Sequence, residues 1–213
     1  MAAIIDIHTH AFPDNIAKIA IPALEREGNI KAYLNGTVND LLESMDRSGV
    51  EQSVLCSIAT RPEQFAPILA WAKEIRSERI IPFPSLHPED PDLLEHLQLI
   101  HDEGFKGVKM HSYYQDYLLD DPRLFDLYEK MGELGTILVI HAGYDIAFPR
   151  IRKADPQRIV AVCRQFPKLK LIATHLGGWD EWADVRTLLT GEPIYMEISF
   201  ALDFLDQKRL RDI

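Results

Sequence analysis

Cysteine is scarce in this chain, with only Cys56 and Cys163 among 213 residues. They lie far apart and form no CxxC pair, which excludes a disulfide framework and a cysteine-based zinc motif and leaves two reduced, buried thiols in a cytoplasmic protein as the expectation. Positive charge is also short: 23 Lys and Arg stand against 33 Asp and Glu, a net charge of −10. No basic patch or stripe appears, so a nucleic-acid partner is not expected. No apolar run approaches the length needed to span a bilayer, and no membrane partner is expected. The first residues, MAAIIDIHTH, lack a basic region, and Asp6 and His8 interrupt their apolar run, so the segment does not read as a signal peptide. Linkers and low-complexity stretches are missing, and residues 1–213 read as a single domain with enough chain for a sizeable core.

What the sequence does have is alternation. Short apolar or β-branched runs occur at 3–7, 52–58, 80–86, 107–111, 137–141, 170–175 and 194–199. Helical spacing fills the stretches at 63–76, 92–103, 123–134, 156–166 and 181–189, and a further helix follows Thr37, an N-cap with acidic Asp40 three residues on. Gly49 sits where that helix should stop. Strands alternating with helices at this spacing mean βαβ units and a parallel sheet. About seven strands are expected, against eight in a full (β/α)8 barrel. The stretch from Phe12 to Gly36 reads as an insertion after the first strand, crossing the barrel mouth.

The histidines are not scattered. In Ile4-Ile-Asp-Ile-His-Thr-His10, His8 and His10 stand one pleat apart on the same face. His111, His141 and His175 each end an apolar run, and in a parallel barrel all such ends converge on one rim. Neutral imidazole is a good ligand for several transition metals. His96 and His101 lie among charged residues in a helical stretch and read as solvated surface; His87 reads as structural.

Two charged residues fall within strands. Lys109 cannot comfortably face an apolar helix layer, so it is expected to point inward, either toward an anionic group of a substrate or, if carboxylated, as a bridge between two metals. Glu197 is placed inward by the same reasoning, with a salt bridge to Lys109 or Lys170 and a catalytic role as alternatives. Tyr144 and Trp179 fall in rim loops as candidate pocket walls, as do Phe12, Tyr113, Phe148 and Arg150.

Taken together, IIDIHTH, GFKGVKMHSYYQ, ILVIHAGYD and LIATHLGGWD, in this order, resemble the amidohydrolase superfamily and most closely its amidohydrolase-2 branch of hydrolases and decarboxylases. The resemblance covers essentially the whole chain. It implies an α/β fold of the (β/α)8 TIM-barrel type and a metal site formed by His8, His10, His141 and His175. It also implies that Lys109 and His111 line that site, with His175, His111 and Lys109 in catalytic roles and Lys109, His111, Tyr144 and Trp179 against the substrate. One Zn ion is expected, with Mn or Fe as alternatives. The family pattern ends with an aspartate on the eighth strand that ligates the metal and takes a proton from bound water. No such turn is found before Ile213, and Asp203 and Asp206 lie in a helical pattern. The expectation is a C-terminally incomplete barrel, the alternative a barrel closed in another way.

The activity implied is hydrolysis of a small amide, ester or lactone by a metal-activated water. The alternatives are non-oxidative decarboxylation of a small aromatic or enol acid, and an inactive barrel that binds metal or ligand. The partner is a small-molecule substrate, and the sequence leaves room for a homo-oligomer.

Overall fold

The structure is a computed structural model that describes residues 3–205. Seven strands run parallel in chain order: β1 (Ile5–Thr9), β2 (Gln52–Cys56), β3 (Ile80–Phe83), β4 (Gly107–Met110), β5 (Ile137–Ile140), β6 (Lys170–Ala173) and β7 (Tyr195–Met196). They form two ladders, β1-β2-β3 and β4-β5-β6-β7. The ladders meet at a single bridge, where the Lys109 N–H donates to the Pro84 carbonyl at 2.9 Å. Pro82 and Pro84 have no N–H to give, which explains why β3 and β4 share so little backbone pairing. Among the described residues there is no eighth strand, so the TIM-type barrel is followed here through seven of its strands.

The helices are α1 (Asp14–Gly28), α2 (Val38–Ser48), α3 (Phe65–Ile75), α4 (Leu93–Asp102), α5 (Phe125–Leu134), α6 (Pro156–Gln165) and α7 (Trp182–Leu188). Their ends follow local chemistry. The Thr37 side chain accepts from the Asp40 N–H, and Gly49 closes α2 in the left-handed conformation at φ 68°. Asp155 accepts from the N–H groups of Gln157 and Arg158, with Pro156 at the first position of α6. One expectation is corrected here: much of the segment 12–36 is helical, as α1. Only Ala17 of that helix is fully buried, and Pro22 lies inside it, where a proline ordinarily reads as a break. No helix among the described residues is long and apolar enough to cross a membrane.

Two apolar layers hold the barrel. Between sheet and helices lie Leu97, Ile100, Val108, Met110, Leu127 and Leu138, all fully buried. Inside the barrel, Val54, Cys56, Phe83, Val139 and Ile172 form a separate cluster. Register ties Lys109 to this inner layer: Lys109 is level with Val139 and Val139 with Ile172, while Val108 and Met110 face the helices. Lys109 therefore points inward, as the argument from its charge required.

Gly107 makes room for this filling. A Cβ there would run into the Phe83 ring and lie 2.7 Å from the Ile137 carbonyl. Gly107→Ala is expected to lower the unfolding free energy by about 1–3 kcal/mol, the usual cost of overpacking. A urea midpoint equal to wild type at unchanged m-value would contradict this.

Candidate metal centre

The strands are shorter than the sequence runs suggested, and the functional histidines sit just past their ends. β4 stops at Met110, β5 at Ile140 and β6 at Ala173, so His111 and His141 are the first residues of their rim loops and His175 the second. His175 and Leu176 both adopt left-handed backbone, at φ 57° and 53°. Such conformations cost free energy outside glycine and tend to persist at functional sites, where neighbours over-determine them.

The rings of His8, His10, His141 and His175 gather at the rim as two pairs. His8 Nε2 lies 3.0 Å from His10 Nε2, and His175 Nε2 lies 3.2 Å from His141 Nδ1. The centroids of His8 and His175 are 5.5 Å apart, so the two pairs adjoin. Lys109 Nζ stands 3.3 Å from His8 Nε2.

The outer nitrogens decide the protonation of each ring. His10 Nδ1 is 2.7 Å from the Cys56 carbonyl, His175 Nδ1 is 2.8 Å from the Ser199 carbonyl, and His141 Nε2 is 3.2 Å from the Tyr144 carbonyl. His8 Nδ1 is 3.0 Å from Glu197 Oε1. A carbonyl or carboxylate only accepts, so each outer nitrogen donates its proton. Burial keeps the rings neutral. His10 is pushed down to about 4 by burial and the Lys109 charge. His8 and His141 lie well below the usual range for the same leading cause, and His175 is lowered too. The inner nitrogens therefore carry lone pairs that face each other in two couples, and the Lys109 ammonium reaches that of His8.

That arrangement fits a divalent cation. Two nitrogens, each about 2.0–2.1 Å from one tetrahedral Zn ion, stand about 3.3–3.4 Å apart, a few tenths of an ångström beyond the 3.0 and 3.2 Å separations found here. Cys56 packs among the barrel-filling side chains, and burial pushes its thiol up to about 12. Burial lowers Lys109 to about 8, which leaves it mostly cationic at neutral pH.

A second group adjoins the first on the mouth side. His111 stacks on His141 with centroids 4.3 Å apart, and Asp145 Oδ2 lies 3.4 Å from His111 Nε2 and 3.7 Å from His141 Nε2. Tyr114 and Phe148 close over it, Tyr114 packing edge-on to His111 at 4.7 Å and to Phe148 at 4.9 Å. Gln115 holds this loop from below, accepting from the His111 N–H at 2.7 Å and donating to the carbonyls of Ala59 and Leu86.

The other expected residues are placed as follows. The Tyr144 ring lies under the Arg150 guanidinium at 4.1 Å, and Tyr144 contributes its carbonyl to His141. Trp179 packs against Trp182, Phe200 and Phe204 rather than against the imidazoles. A glycine joins their two loops: Gly143, at φ 81°, pairs with the Trp179 backbone so closely that a Cβ would lie 2.6 Å from the Trp179 carbonyl. Glu197 is buried and inward as expected, but its partners are His8 and Ser199 rather than Lys109 or Lys170 as a salt bridge, because the turn at 197–199 folds over His8. His96 is corrected as well. Its ring stacks on Phe65 at 3.7 Å and its Nδ1 is 2.6 Å from Asp90 Oδ2, so it is a packed helix residue and not a solvated one. His87 is buried, with Nδ1 accepting from the Glu89 N–H. Asp203 lies in a short turn at Leu202–Phe204, while Asp206 falls outside the described residues.

Asp145, Ser199 and Gln115 went unnoticed at the level of sequence. Asp145 carried a usable signal, being an acid four residues past His141 in the same rim loop. Ser199 and Gln115 carried none, since polar loop residues are common.

A family model described as amidohydrolase matches residues 5–212. Comparison with curated proteins finds no match. Among solved structures, an uncharacterized TIM-barrel protein from Bordetella bronchiseptica superimposes with a TM-score of 0.73 at 19% identity, over 92% of this chain and 75% of that one. Amidohydrolase 2 from Bifidobacterium longum subsp. infantis gives 0.60 at 17%, over 100% and 79%. A 5-carboxyvanillate decarboxylase from Novosphingobium aromaticivorans, solved with bound manganese, gives 0.60 at 13%, over 82% and 66%. At these identities the structures speak for the TIM-barrel fold.

Proposed function

The chain belongs to the amidohydrolase family, a family of enzymes, and on that premise we propose that it is a metal-dependent hydrolase of a small amide, ester or lactone. One observation carries the reading: four imidazoles gather at the rim in two adjoining pairs, each committing its outer nitrogen to an acceptor and turning the inner one to its pair-mate. His8, His10, His141 and His175 would hold one divalent ion there, Zn first, with Mn or Fe as alternatives. Bound, such an ion lowers the pKa of its water toward neutrality and polarises a carbonyl.

The chain's own groups supply the rest. The Lys109 ammonium, fixed on the inner face of β4, holds a carboxylate or other anionic group of the substrate beside the imidazoles. His111, with Asp145 behind its Nε2, handles a proton at the mouth, while His175, whose outer nitrogen is held by the Ser199 carbonyl, contributes to catalysis as a ligand. Tyr114 and Phe148 exclude water from that side. Tyr144 bounds the pocket through its loop. Trp179 stands further out, against the substrate only if the substrate extends toward Phe200. The cytoplasm is the setting that two free, buried thiols fit.

A second reading is non-oxidative decarboxylation of a small aromatic or enol acid. It is favoured by a buried cation next to the imidazoles, which would seat a carboxylate, and by the likeness to a decarboxylase that holds manganese. The test has two stages. Elemental analysis of the purified chain should find about one Zn, Mn or Fe per chain. Incubation with lactone, ester and amide panels beside a carboxylated phenol panel then separates the chemistries. Water addition supports the hydrolase, and carbon dioxide release without it overturns that in favour of the decarboxylase. No bound metal, even after incubation with excess Zn or Mn, overturns both.

A further inference from the structure

Three of the four outer acceptors are backbone carbonyls, of Cys56, Tyr144 and Ser199. The fourth is a side chain. Resting on the metal-site reading above, we propose that Glu197 is the positioning residue of the centre, fixing the tautomer and orientation of His8 and, through the same oxygen, the turn that carries His175.

The hydrogen bonds argue this directly. Glu197 Oε1 accepts from His8 Nδ1–H at 3.0 Å, from the His175 backbone N–H at 2.8 Å and from the Ser199 hydroxyl at 2.8 Å. Oε2 accepts from the Ser199 backbone N–H at 2.5 Å. With three donors on one oxygen and the other oxygen accepting from the turn, this carboxylate is engaged by the protein on both sides. It draws together the end of β1, the loop after β6 and the segment after β7. The His175 N–H belongs to the left-handed stretch at 175–176, and its bond to Glu197 helps hold that unfavourable conformation. A carboxylate behind an imidazole also makes the facing nitrogen more basic, strengthening it as a ligand. Ser199 Oγ lies 3.1 Å from His8 Nδ1 as well and, with its own proton given to Glu197, can share the Nδ1 proton, but it is a neutral acceptor and the weaker partner beside the charged carboxylate.

The sequence marks Glu197 only as an acid in an apolar strand. Its partners come from positions 8, 175 and 199 and meet only in the folded chain.

The test compares wild type with Glu197→Gln, Glu197→Ala and Ser199→Ala in the full chain. Long-range 1H–15N NMR of the metal-free protein reads the His8 ring, and chelator competition reads the Zn dissociation constant. Wild type should show His8 protonated at Nδ1, Glu197→Ala a mixture of tautomers, and Glu197→Gln the Nδ1–H form with a shifted Nδ1 resonance. Zn affinity should fall about 10-fold in Glu197→Gln and about 100-fold in Glu197→Ala, and by less than about threefold in Ser199→Ala, whose side chain is a minor partner. The positioning role is overturned if Glu197→Ala keeps the wild-type His8 ring or, should that variant not fold, if Glu197→Gln leaves both His8 nitrogen resonances unchanged. A wild-type chain that binds no Zn overturns the metal-site reading instead, and the His8 resonances still decide the role of Glu197.

Discussion

Replacing His8 and His10 together by alanine is expected to weaken Zn binding by roughly 10⁴- to 10⁶-fold and to abolish turnover. The magnitude follows from the free energy of a four-ligand Zn site, about 10–16 kcal/mol, of which two ligands supply about half. The fold should survive, because both rings lie at the rim rather than among the barrel-filling side chains Val54, Cys56, Phe83, Val139 and Ile172. Chelator competition with Zn measures the loss, and circular dichroism checks the fold. His101→Ala is the control: His101 lies in the last turn of α4, away from the cluster, and its replacement should leave Zn affinity unchanged. A double variant that still carries one Zn per chain with wild-type affinity would remove the imidazole cluster from consideration as the metal site.

The metal-free chain should also be acid-labile over an unusually narrow range. His8, His10, His111, His141 and His175 are all held below the ordinary value of 6.5, chiefly by burial, His10 down to about 4. The unfolded chain takes up a proton at each near 6.5, and the folded chain does not. Stability from these groups is therefore complete above 6.5 and is lost as pH falls from there toward the folded values. Each ring that stays neutral contributes a slope of about 1.4 kcal/mol per pH unit, and five together set a ceiling of roughly 7 kcal/mol per unit. Against a typical total stability of about 5–15 kcal/mol, the chain should unfold within about one to two units below pH 6. Urea unfolding between pH 7 and 5 measures the slope. Excess Zn should displace the midpoint to lower pH, since the ion binds only the neutral rings. The His8→Ala, His10→Ala variant should show a slope reduced by about two protons. A stability that stays flat between pH 7 and 5 would mean that these rings are not held neutral by the fold.

The legible part of the molecule was its repeated unit. Apolar runs of about five residues, each followed by helical spacing, are enough to imply parallel strands, and parallel strands bring their C-terminal ends to one rim. That is why His8, His10, His111, His141 and His175 were recognisable from positions spread across 168 residues, from 8 to 175. Lys109 was legible for a different reason. Its charge is costly on the helix-facing side of a strand, so the inner face was the only comfortable place for it. The helix α1 was missed because Pro22 falls inside it, where a proline ordinarily ends a helix. His96 was misread because helical spacing does not report that Phe65, on another helix, lies across its ring.

Sequence alone determined the strand order, the inward lysine and the set of imidazoles, because each follows from local periodicity and from the cost of burying polar groups. Only the tertiary structure decided how the rings are used. Which nitrogen of each ring donates depends on carbonyls of Cys56, Tyr144 and Ser199 and on the carboxylate of Glu197, contributed by other turns of the chain. A hydrogen bond acts over about 3 Å in space and is indifferent to distance along the chain, so the partner of His8 is found 189 residues away, at Glu197.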